Sequence, residues 1–97
     1  MSKASEDISE LFAQAQEHHL ARRFVEAEEL YIQILRWNPK HADSLHLLGT
    51  IFAQTGKVTD AVDFLRRAIE IKPDRAPYRV NLGVVLQDEF LFEGTIR

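Results

Sequence analysis

One pattern occurs twice in this chain. Arg36–Gly49 reads RWNPKHADSLHLLG and Glu70–Gly83 reads EIKPDRAPYRVNLG, the second beginning 34 residues after the first. Sliding the sequence on itself by that offset pairs Pro39 with Pro73, Ala42 with Ala76, Leu11 with Leu45, Ala27 with Ala61, and Leu48-Gly49 with Leu82-Gly83. The matched residues are small, apolar or special in their backbone preferences, while the charged positions between them drift. Such selectivity marks a structural repeat, in which packing fixes some positions and solvent covers the rest.

Within one period Leu45, Leu48, Gly49 and Phe52, then Ala61, Phe64, Leu65 and Ala68, recur at helical rather than strand spacing. Thr55-Gly56-Lys57 separates the two helices, because glycine adopts the positive φ that ends the first. Proline ends the second: Pro39 and Pro73 lack an N–H and disfavour helical geometry in Asn38 and Lys72 before them. The pattern predicts an all-α chain with helices at about 5–20, 24–37, 42–55, 58–71 and 75–89. For the final segment FLFEGTIR two outcomes are open. It starts a sixth helix, or, because Phe90 stands where a glycine turn is expected, it prolongs the fifth helix to about Thr95.

Composition limits what such a chain can do. Ninety-seven residues, 45% hydrophobic and 28% charged, describe one soluble domain with a modest core. A net charge of −3, with both signs intermixed, offers no basic stripe for a phosphate backbone, so nucleic acid is not the expected partner. The absence of cysteine removes disulfides, thiolate metal sites and thiol nucleophiles. No run of about 18 apolar residues and no signal-peptide core occur, so no membrane partner is expected and a cytoplasmic location is.

These residues resemble the tetratricopeptide repeat, whose 34-residue signature runs through a Trp, Leu-Gly, Tyr, Ala, Phe and Pro. The middle repeat, about 42–75, matches with Leu45, Leu48-Gly49, Phe52, Gly56, Ala61, Leu65, Ala68 and Pro73. The first, about 8–41, supplies Phe24, Ala27, Tyr31, Trp37 and Pro39, but has Gln14-Ala15 in place of Leu-Gly and Arg22 in place of glycine. The third, a truncated 76–97, keeps Leu82-Gly83 and Phe92 and departs at Arg79, Phe90 and Thr95. The resemblance implies a right-handed superhelical stack of antiparallel helix pairs, about two and a half repeats in a single domain over residues 1–97. The stretch from Asp43 to Gly83 also looks like the N-terminal repeats of bacterial glycosyltransferases of the O-linked N-acetylglucosamine transferase type.

Every signature residue is a packing residue, so function is sought on the surface. In such a stack the first helix of each pair lines a concave groove. The side chains expected there are Phe12, Gln16 and His19; His46, Thr50 and Gln54; and Val80, Asn81, Val84 and Gln87. This apolar and amide-rich set suits a peptide or protein partner, held by apolar contact and by hydrogen bonds from Gln16, His46, Thr50 and Gln87. The expectation is therefore a non-catalytic interaction module or scaffold; the alternative is the substrate-recruiting N-terminal fragment of a larger glycosyltransferase-like enzyme. Family members that clamp a terminal carboxylate need Lys, Arg and Asn on these faces. Here Phe12, Gln16, Leu47 and Pro77 stand there, with Asn81 alone retained.

Other constellations lead nowhere. His18-His19 point about 100° apart on a helix, and His41 and His46 lack the spacing of a shared face, so no metal site is expected. Asp43, Ser44 and His46 hold the residue types of a hydrolytic triad but diverge on one short helix. Glycines occur singly, with no phosphate-cradling loop, and nothing in the sequence calls for a cofactor. At the C-terminal end, Leu86, Phe90, Leu91, Phe92 and Ile96 form an apolar surface, which predicts a homo-oligomer through pairing or exchange of the last helix.

Overall fold

The computed structural model describes the backbone of residues 2–96 and the side chains of residues 7–87. Among the described residues there are five helices and no strand: α1 Ser2–Leu20, α2 Phe24–Trp37, α3 Ala42–Gln54, α4 Val58–Ile71 and α5 Ala76–Ile96. The helices form a helical-repeat solenoid in which α1 pairs with α2, α3 pairs with α4, and α2 joins the pairs by packing on α3. The fifth helix lies mainly on α4 and touches α3 lightly.

The helix ends follow from single residues. α3 closes with Gly56 at φ 86°, Lys57 N–H donating to Phe52 O at 2.7 Å and Gly56 N–H to Ala53 O at 3.3 Å. This is a Schellman turn, which requires a residue in the left-handed region. The same turn closes α1, with Arg23 N–H on His18 O at 2.8 Å and Arg22 N–H on His19 O at 3.0 Å. There the left-handed residue is Arg22, at φ 64°, in the place glycine fills one repeat later. At the other two ends Asn38 and Lys72 leave the helical region before Pro39 and Pro73, with φ −140° and −133°.

No turn interrupts α5 at Phe90, so of the two outcomes left open the continuous fifth helix is the one formed. Phe90 stands where glycine closes α3, and its side chain disfavours the left-handed conformation a break needs, a cost that Arg22 bears at the end of α1.

The core forms where the pairs meet. Ala15, Ala27, Tyr31, Ile34, Leu48, Ile51, Phe52, Ala61, Leu65 and Val85 make one buried cluster, and Ala42, Leu45, Ala68 and Tyr78 a second. Gly49 explains why α3 and α4 lie so close: a Cβ there would stand 3.0 Å from Leu65 Cγ and 3.3 Å from Ala61 O. Gly83 differs from Gly49, since a Cβ there meets no described atom within 4 Å. Trp37, one of the residues that carried the repeat pattern, is largely exposed rather than part of this core.

Candidate functional site

The first helices of successive pairs, α1, α3 and α5, share one face of the stack, and polar bonds tie them together there. His19 Nε2–H donates to Gln54 Oε1 at 3.0 Å, joining α1 to α3. The Asn81 amide donates to His46 Nε2, and the Tyr78 hydroxyl donates to Asp43 Oδ1, joining α3 to α5. Each pair is separated by 35 residues, one more than the sequence period, so the stagger between successive inner helices shifts the register by one residue. Arg75 adds a bond to Asp43 Oδ1 at 3.1 Å.

Two adjoining clefts run along this face. One of about 180 Å³ is lined by Gln16, His19, Leu20, Tyr31 and Leu47. The next, of about 250 Å³, again uses Gln16 and Leu47 and adds Phe12, Asp43, His46, Arg75, Pro77 and Tyr78. Beyond them Val80 and Val84 are 60% and 52% exposed, one helical turn apart on α5. Leu20, at 86% exposed, marks the opposite end. The face thus offers apolar anchors at both ends with polar groups between.

Its charges are local and few. Asp43 is paired with Arg75 and accepts the Tyr78 hydroxyl, and the phenol of Tyr78 is pushed up to about 12 by burial, with the bond to Asp43 adding to the effect. Burial also pushes the His46 imidazole below its ordinary range; Asp43 opposes the shift, and Arg75 and His19 reinforce it. His46 is accordingly neutral near pH 7, with Nε2 as an acceptor for Asn81. His41 is lowered too, again chiefly by burial. Its Nδ1 accepts from Ser44 N–H at 3.2 Å and from the Ser44 hydroxyl at 2.8 Å, which caps α3 with an imidazole.

The structure distributes the expected groove residues unevenly. Phe12, Gln16, His19 and His46 line the clefts, and Gln54 and Asn81 are bonded to cleft residues. Phe12 is half-buried rather than free, with its ring against Tyr31 at 5.9 Å and edge-on to His41 at 5.3 Å. The Thr50 hydroxyl donates to Leu47 O at 2.7 Å within its own helix. Val80, Val84 and Gln87 are exposed and lie outside both clefts. Leu86 is exposed, while the side chains of Phe90, Leu91, Phe92 and Ile96 lie outside the described residues.

Sequence reasoning missed Leu20 as an anchor, and it missed Tyr78 and Arg75 as partners of Asp43. The repeat offset gave no direct signal for Tyr78: it stands 34 residues after Ser44, whereas its partner Asp43 lies one residue earlier. Asp43, Ser44 and His46 each bond to a different partner, as expected for residues that diverge along one helix. Among the described residues no helix is long and apolar enough to cross a membrane, and no metal-ligating cluster of three or more acidic, histidine or cysteine residues occurs.

Comparison with known proteins gives the geometry a family. Among solved structures, a mutant of the Thermobaculum terrenum O-GlcNAc transferase superposes with a TM-score of 0.87 at 30% identity, over 89% of this chain and 16% of that one. The chain thus spans about a sixth of that protein's length. No curated protein gives a significant match. The family model described as tetratricopeptide repeat matches residues 18–82, which include both Schellman turns, both proline stops and the close approach at Gly49. With two thirds of its length inside that match, the chain belongs to the tetratricopeptide repeat family, whose members generally mediate protein–protein interaction.

Proposed function

We propose that the chain is a non-catalytic binding module that holds a segment of a protein partner along the face formed by α1, α3 and α5. The observation that carries this reading is the pair of adjoining clefts sharing Gln16 and Leu47, flanked by Leu20 at one end and by Val80 and Val84 at the other. Apolar anchors with polar groups between them match an amphipathic or extended segment, which needs burial for affinity and hydrogen bonds for register. Gln16 and Gln87, together with the amides of Gln54 and Asn81 when they exchange partners, supply donors and acceptors to a peptide backbone.

A photo-crosslinking residue placed at Gln16 or Val84 tests this directly, with Glu29 on α2 as the control position. The expected result is capture of one partner from the native source at Gln16 and Val84, none at Glu29, and loss of capture at Gln16 when Val84→Asp is added. Equal capture at Glu29 rejects the inner face as the site.

A second reading is favoured by the Thermobaculum terrenum comparison: the chain serves as the substrate-recruiting part of a larger glycosyltransferase-like enzyme. The mass of the endogenous protein discriminates the two. A band near the 11.2 kDa of this chain supports a small adaptor, and one several times larger supports the recruiting module. Self-association through α5 is a separate proposal that rests on the exposed Leu86; a mass independent of concentration in light scattering rejects it.

A further inference from the structure

Away from the inner face, α2 and α4 both lean on α3 without closing firmly on each other, and the gap between them is an apolar cleft of about 320 Å³. Leu45, Leu48 and Phe52 of α3 form its floor, with Leu35 of α2 and Phe64 of α4 as walls. Arg36 from α2 and Arg67 from α4, both exposed, stand at its rim, and Pro39 completes the lining.

The hydrogen-bonding chemistry of this lining is one-sided. Its polar side chains are the two guanidinium groups, which donate and never accept, and Pro39 has no N–H. An amine, an alcohol or a peptide N–H entering the cleft would find no side-chain acceptor, which is costly in an apolar site. An anionic oxygen is matched on both sides, and the planar fork of arginine suits a carboxylate. Both arginines can turn to a ligand. Arg67 is held by Asp63 at 3.2 Å, but that pair lies within one helix and both side chains are more than half exposed, so the bond is weak. Arg67 also rests over the Phe64 ring at 5.0 Å, already leaning on the cleft wall. Arg36 makes no ion pair among the described residues. The volume sits at the lower end of small-molecule sites, roughly 300 to 1,000 Å³.

We propose that the cleft between α2 and α4 binds a small apolar monocarboxylate, its hydrocarbon body against Leu48 and Phe64 and its carboxylate between Arg36 and Arg67. The site is distinct from the inner face and does not depend on the reading of that face.

The probe is octanoate, titrated into the full chain and followed by heteronuclear NMR, with octylammonium as the charge-reversed control. Saturable shifts at Leu45, Leu48 and Phe64 are expected with octanoate and not with octylammonium. Arg36→Gln combined with Arg67→Gln, at two exposed positions where an unchanged circular dichroism spectrum is expected, should weaken octanoate at least about tenfold. Asp63→Asn, which frees Arg67, is expected to tighten it. Any of three results overturns the proposal: no saturable shift, an equal response to both amphiphiles, or an octanoate affinity unchanged in the double variant.

Discussion

The side-chain amide of Asn81 donates to Nε2 of His46 across the boundary between α3 and α5, and the two residues are 35 positions apart. Asp43 with Tyr78, and His19 with Gln54, repeat that separation on the same face. Polar rungs therefore tie each inner helix to the next, in a stack whose apolar contacts lie mostly between inner and outer helices.

Removing a rung should cost stability without unfolding the chain. Asn81→Ala leaves the half-buried Nε2 of His46 without its donor, and a loss of about 1 kcal/mol is expected in urea unfolding. Combined with His46→Ala in a double-mutant cycle, it should show a coupling of roughly 0.5 to 1.5 kcal/mol. Additive effects would mean that the two side chains do not support one another.

Arg22 and Gly56 occupy equivalent turns with unequal residues. Arg22 at φ 64° carries the strain of a side chain in the left-handed region, only partly offset by its guanidinium stacking 5.3 Å from the Phe24 ring. Arg22→Gly should thus stabilise the chain by about 0.5 to 1 kcal/mol, and Gly56→Ala should destabilise it by about 1 kcal/mol. Thermal midpoints shifting in opposite directions would verify both.

The two Leu-Gly pairs should also respond oppositely. A Cβ at Gly49 would press on Leu65 and the Ala61 carbonyl, so Gly49→Leu overpacks the α3–α4 crossing and should cost about 1 to 3 kcal/mol or more. Gly83 meets nothing within 4 Å among the described residues and lies within α5, so Gly83→Ala should gain up to about 1 kcal/mol of helix propensity. Denaturant midpoints of the two variants check the contrast.

Acid should destabilise the fold through two imidazoles. His41 and His46 both titrate below their ordinary value of 6.5 because burial disfavours their charged forms. Between the folded values and 6.5 the unfolded chain binds more protons. The contribution of these residues is therefore complete above pH 6.5 and is lost as pH falls through the folded pKa values. Protonation of His41 also removes the Nδ1 acceptor that caps α3. A lower urea midpoint at pH 5 than at pH 7.5 is expected, and His41→Asn, which keeps a capping acceptor without titrating, should reduce the difference.

The backbone of this fold was legible because glycine and proline act locally. Gly56, Pro39 and Pro73 mark helix ends through φ and a missing N–H, needing no knowledge of the rest of the chain. Arg22 was legible as a departure, and the structure shows that the turn forms in spite of it. The inner face was harder to read. Which side chain meets Asp43 or His46 depends on a register of 35 where the sequence repeats at 34, and only the stagger between helices fixes that difference. The His41 cap escaped for another reason, since imidazole is not among the usual capping groups. That no described atom approaches Gly83 was invisible because a repeat pattern predicts the helix but not its neighbours.

Packing in this molecule is almost wholly between helices that follow one another in sequence, with a light contact from α3 to α5 and polar rungs along the inner face. Such a chain has low contact order, so it should fold quickly and open from its ends inward, one helix at a time. A segment lying along α1, α3 and α5 would touch elements far apart in sequence and act as a splint, supplying the long-range contacts the fold itself largely lacks. The partner would then be read in hydrogen exchange as cooperativity, with amides of α1 and α5 slowed together although the two helices lie at opposite ends of the stack.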